Sequence, residues 1–65
     1  MYKGEIYNAS GYLQTTEEFE TEDEVREDAE IIIDGYINDW IVDEVCTEKE
    51  RNVARKQFSI DVVEV

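Results

Sequence analysis

The chain of 65 residues has no histidine, no proline and a single cysteine, and its six Lys and Arg face 18 Asp and Glu, a formal net charge of −12. Without histidine there is no imidazole general base, no His-containing zinc site and no thiol–imidazole pair. One cysteine excludes the disulfide framework of a small secreted domain. In a reducing compartment Cys46 is expected to be a small, buried apolar side chain. The scarcity of cations argues against a nucleic-acid backbone or an anionic membrane surface as a direct ligand, because such binding is built from clustered Lys and Arg. No run approaches the roughly 18 consecutive apolar residues of a membrane span, and Met1-Tyr2-Lys3-Gly4-Glu5 is not followed by the apolar stretch of a signal peptide. Cytoplasmic residence is the expectation.

What is present is 42% apolar residues, enough for the small core of one domain over residues 1–65. Residues 2–9 and 12–19 read as two strands joined by Asn8-Ala9-Ser10-Gly11, whose Asn, Ser and Gly favour a turn. Phe58-Ser59-Ile60-Asp61-Val62 alternates and is β-branched, the mark of a third strand. A helix opens at Thr21, with Glu24 in capping-box spacing and Glu22, Asp23 and Glu24 in the first turn, where the helix dipole favours negative charge. Val25, Ala29, Ile32, Ile33, Tyr36, Ile37 and Trp40 follow at spacings of 3 and 4 and form one apolar stripe. Phe19 and Phe58 join Tyr36 and Trp40 as expected core aromatics, whereas Tyr2, Tyr7 and Tyr12 are candidates for a contact surface.

Gly35 lies off the stripe, which suggests a close approach or a local weakness. Past Trp40 the pattern changes, and Ile41 to Val45 either prolong the helix or form a strand. Thr47 to Gln57 is polar and either extends the helix or loops. The expected fold is α+β: a ββαβ chain whose three-stranded antiparallel sheet has the order 2-1-3, with one long acidic helix packed on one face. That helix is longer than the strands, so one of its ends should overhang the sheet.

The charge is uneven. Between Glu22 and Glu44 stand ten acidic residues and one Arg. Over about 33 Å of helix that is roughly one net charge per 3.7 Å, close to the 3.4 Å per charge of a DNA strand. Asp23, Glu27, Glu30 and Asp34 recur at spacings of 4, 3 and 4 as one ridge opposite the apolar stripe. Lys49, Arg51, Arg55 and Lys56 hold four of the six positive charges. They are expected to offset the dipole at the helix C-terminus and to pair with nearby carboxylates.

No segment has the ligand spacing of a calcium loop, and carboxylates on one exposed ridge lack the cleft and raised pKa that acid–base catalysis needs. Neither a metal, a cofactor nor catalysis is expected.

A short, acidic, proline-free and histidine-free chain with a hairpin, one acidic helix and a closing strand resembles the small inhibitors that bacteriophages make against host machinery: anti-CRISPR proteins, anti-restriction DNA mimics and phage inhibitors of host RNA polymerase. The resemblance covers the whole chain and lies in size, layout and charge. It implies a non-catalytic inhibitor acting in the bacterial cytoplasm, bound to the basic nucleic-acid groove of a CRISPR effector, restriction nuclease or RNA polymerase. From the ridge argument, the expected partner-binding residues are Glu17, Glu18, Glu20, Asp23, Glu24, Glu27, Glu30 and Asp34. The alternative is a small phage structural or assembly module that self-associates as a homodimer through Ile31, Ile41, Val42 and Val45.

Overall fold

The computed structural model describes all 65 residues. Strands β1 (Tyr2–Asn8) and β2 (Gly11–Thr15) form a hairpin, helix α1 spans Glu22–Val42, a 3-10 turn at Glu48–Glu50 leads into the short helix α2 (Arg51–Arg55), and strand β3 is Ser59–Glu64. The sheet is antiparallel in the order β2-β1-β3, as the sequence pattern predicts.

The hairpin turns where expected. The backbone N–H of Ser10 donates to Asn8 Oδ1 at 2.8 Å, and Gly11 takes the positive φ of 120° that closes the turn. Register places Gly4 and Ile6 of β1 opposite Val62 and Ile60 of β3, on the face that α1 covers. Lys3, Glu5, Tyr7 and Val63 occupy the other face, which carries no second layer.

Strict alternation along β2 would put Tyr12 and Thr15 on opposite faces. A bulge opposite Ile6 and Tyr7 changes this, so both lie on the open face and their hydroxyls hydrogen-bond at 2.6 Å. Tyr12 also packs edge-on against Tyr7 at a centroid distance of 5.8 Å. Tyr2, by contrast, shares the helix-facing register of Gly4 and Ile6.

Helix α1 starts as read, with the Glu24 N–H donating to Thr21 Oγ1 at 3.2 Å. Its stripe delivers Val25, Ala29, Ile33 and Ile37 into the interior. Gly4 lets the helix come close: a Cβ there would sit 2.7 Å from Val25 Cγ1. The core proper is small, comprising Ile6, Ala29, Ile33, Ile37 and Ala54, with Leu13, Ile32, Trp40, Ile41, Cys46, Phe58 and Ile60 half-buried around it. Phe58 stacks on Trp40 at 5.3 Å and on Tyr36 at 6.1 Å, and the Tyr36 hydroxyl donates to Gln14 Oε1 at 2.7 Å. Of the expected core aromatics, Trp40 and Phe58 rim the core and Tyr36 stacks on Phe58, whereas Phe19, half-buried, lies apart from it beside Glu24 and Ile31; Cys46 is half-buried.

Two sequence expectations are refined at the end of α1. The helix continues through Ile41 and Val42 and no strand forms there, but it stops at Val42 rather than running on through Glu44. Glu44 adopts φ 62°, its N–H donates to Ile41 O at 3.1 Å, and the Val45 N–H donates to Trp40 O at 2.8 Å. These are the two bonds of a Schellman cap, made here with Glu where Gly is usual, so no glycine advertised the stop. The second is the polar segment after Thr47, which becomes helix α2 and packs against α1. Thr47 and Glu50 repeat the spacing of Thr21 and Glu24: the Thr47 N–H donates to Glu50 Oε1 at 3.1 Å. That second capping box was readable in the sequence.

Gly35 meets no atom within 4 Å of a built Cβ, so no close approach explains it. Its remaining consequence is a helix penalty. Gly35→Ala is expected to raise stability by about 0.5–1 kcal/mol, read as a higher urea midpoint with an unchanged slope.

Candidate functional site

From the segment after β2 into the first two turns of α1 the chain carries eight carboxylates, Glu17, Glu18, Glu20, Glu22, Asp23, Glu24, Glu27 and Asp28, against Arg26 alone. This segment is anchored at both ends. Phe19 and Tyr2 exchange backbone hydrogen bonds, each at 2.7 Å, which fastens the strand exit to β1. The Gly4 N–H donates to Thr16 Oγ1 at 2.8 Å, and Thr16 is itself buried. The Thr21 hydroxyl then donates to Glu24 Oε1 at 3.0 Å. Exposed carboxylates are therefore held on an ordered backbone. Glu22, Asp23 and Glu24 are further favoured by the unsatisfied N–H groups of the first helical turn.

Beside them Phe19, Glu24, Glu27, Asp28 and Ile31 line an open hollow of about 240 Å³. Three carboxylates and two apolar side chains thus share one open depression.

The eight predicted partner-binding residues divide into two groups. Glu17, Glu18, Glu20, Asp23, Glu24 and Glu27 are exposed and make no ion pair within 4.0 Å. Glu30 and Asp34 are occupied: the Arg55 guanidinium donates to both, and Arg51 lies 3.9 Å from Asp34. The ridge of Asp23, Glu27, Glu30 and Asp34 is thus continuous on the helix but not in charge.

Of the basic patch, Arg51 and Arg55 pair with carboxylates and Lys49 and Lys56 do not, and neither pair lies at the end of α1, whose last turn holds no cation. Arg55 reaches the middle of the helix. Arg51 bonds Glu48 Oε1 at 2.9 Å and Asn38 Oδ1 at 2.6 Å. The hydrogen bond from Arg51 holds the Glu48 carboxyl below its ordinary pKa, and the Glu48 carboxylate in turn raises that of Arg51. On the open sheet face the Glu5 carboxylate, with smaller contributions from desolvation, Asp61 and Tyr12, raises the Tyr7 hydroxyl above its usual value.

No family model, curated protein or solved structure matches the chain.

The four residues expected to self-associate do not form one patch. Ile31 is exposed at the acidic end beside Glu27, Ile41 packs half-buried against the core, and Val42 and Val45 are exposed at the far end. Ile31 and Val42 are separated by about 16 Å along the helix axis. Val53, exposed on α2 near Val45, was not anticipated, because its place depends on how α2 docks.

No helix is long and apolar enough to cross a membrane. No group of three or more Cys, Asp or Glu side chains is arranged to hold a metal ion.

Proposed function

We propose that the chain is a non-catalytic inhibitor that docks the surface from Glu17 to Asp28 onto the basic nucleic-acid-binding groove of a bacterial nuclease or polymerase. A CRISPR effector heads the candidates, with restriction nucleases and RNA polymerase beside it, and the site of action is the bacterial cytoplasm. The observation that carries this reading is the division of the carboxylates. Arg51 and Arg55 take up the C-terminal half of the ridge, while the N-terminal half is left with a net charge of −7 over twelve residues and no internal ion pair.

A charge meant only to keep the chain in solution has no reason to be gathered at one end. An ordered, one-sided field of this density speeds encounter with a cationic groove and competes with the phosphates that groove normally holds. Phe19 and Ile31, which line the hollow, offer the apolar contact that slows dissociation.

The test is displacement of labelled duplex DNA from a guide-loaded CRISPR effector, a restriction nuclease and RNA polymerase. Stoichiometric displacement from one of them is expected. The double variant Glu24→Lys with Glu27→Lys should weaken it by about tenfold or more. Asp61→Lys with Glu64→Lys changes the net charge equally on strand β3 and should leave it nearly intact. Failure to displace DNA from any of the three, or equal loss in both variants, would count against a directed acidic surface.

A further inference from the structure

At the opposite end of the molecule, Trp40, Val45, Cys46, Glu50, Val53, Ala54 and Gln57 line a cleft of about 390 Å³, five of the seven being apolar. Its shape follows from elements already described. The Schellman cap folds Val45 back over Trp40, and α2, held by Arg55 on Glu30 and Asp34, forms the second wall. Two large apolar side chains of this cleft stand in solvent: Val45 at 71% and Val53 at 61% exposure. A chain of this size with a marginal core has every reason to bury such surface.

Charge decides what can cover it. Residues 43–57 hold four acidic and four basic side chains, so this end is neutral on a chain of net charge −12. Arg51 and Arg55 are engaged within the molecule, whereas Lys49, Lys56, Asp43 and Glu44 make no ion pair. A surface that offers unpaired charges of both signs around an apolar cleft is complementary to itself.

We infer that this cleft is the contact between two copies of the chain, joined about a two-fold axis. Val45 and Val53 of each copy cover the other's cleft, and Lys49 and Lys56 of one meet Asp43 and Glu44 of the other. The geometry also avoids repulsion. Asp23 lies about 25 Å along the helix from Trp40, roughly three Debye lengths at physiological salt, so the two acidic ends point away from each other. Residues 42–57 are a quarter of the chain, and the whole surface is 4528 Å². A contact of about 800 Å² per copy, the size of a stable interface, fits within that share.

The inference does not depend on the inhibitor reading, but if both hold, the dimer presents two acidic surfaces facing outward.

Sedimentation equilibrium from about 5 to 500 µM in 0.15 M salt tests it. The wild-type chain is expected to pass from monomer to dimer. Val45→Asp and Val53→Asp, each at an exposed position and checked for an unchanged far-UV spectrum, should weaken association at least about tenfold by placing a carboxylate in the contact. Ile31→Asp, at the other end, should dimerise like the wild type. Because Cys46 lines the cleft, its alkylation by iodoacetamide should slow as wild-type concentration rises and stay constant in Val45→Asp. A chain that is monomeric throughout, or a dimer indifferent to Val45 and Val53 whose Cys46 reacts at a constant rate, overturns the inference. A monomer in which Val45→Asp lowers DNA displacement would instead assign the cleft to the inhibited enzyme. The inhibitor reading fails separately, in the displacement assay.

Discussion

Ile37→Ala is expected to leave most of the chain unfolded at 37 °C. Ile37 is fully buried, and only four buried apolar side chains are larger than alanine: Ile6, Val25, Ile33 and Ile37. Truncating a buried isoleucine costs about 2–5 kcal/mol, through lost burial and the cavity left behind. A single core in a domain this small rarely supplies more than about 3–5 kcal/mol in total. The open sheet face cannot compensate, since nothing packs on it. Far-UV circular dichroism with urea titration would read the effect, and a loss below about 1 kcal/mol would mean that the core lies elsewhere. Ile31→Ala is the matched control. Its side chain is 65% exposed, and a change within about 0.5 kcal/mol is expected.

Arg55→Glu is expected to detach α2 and cost about 2 kcal/mol. An isolated surface ion pair contributes at most about 1 kcal/mol. Arg55 does more than form one pair, because its guanidinium sits between two carboxylates four residues apart on α1. Without it Glu30 and Asp34 repel each other, and a third carboxylate at position 55 repels both. Ala54, next in the chain and buried in the core, loses its seat when α2 moves. Lys56→Glu makes the same change of charge at an exposed residue with no ion pair and should shift stability by less than about 0.5 kcal/mol. The double variant Arg55→Glu with Glu30→Arg should recover part of the loss, which isolates the pairwise coupling from net charge. Equal destabilisation by the changes at 55 and 56 would show that overall charge, rather than the clamp, was responsible.

The features read correctly from sequence are those in which residues close along the chain act together. The helix start at Thr21, the stripe from Val25 to Ile37, the turn at Asn8 to Gly11 and the β-branched last strand are all of this kind. Periodicity also separates Ile31, which is exposed, from Ile32 and Ile33, which turn inward. What went unread is the helix stop at Val42, since a Glu holds the left-handed cap where a Gly would have announced it. The bulge in β2 was likewise hidden: one extra residue changes which side chains share a face without altering composition. The 3-10 turn that leads into α2 left a signal in its capping box, while the five residues of α2 are too few for a periodic pattern.

The sequence by itself determined the ββαβ order, the face of α1 that turns inward and the acidity of the face that turns out, because each follows from local spacing and from the count of carboxylates. Only the tertiary structure decided which carboxylates are free. Arg55 lies 25 residues from Glu30 and 21 from Asp34, and those pairs exist because the Schellman cap reverses the chain and Ala54 docks α2 into the core. Whether an ion pair forms depends on distance in space. Spacing along the chain places Asp23, Glu27, Glu30 and Asp34 on one ridge, and the fold then leaves half of that ridge charged and neutralises the rest.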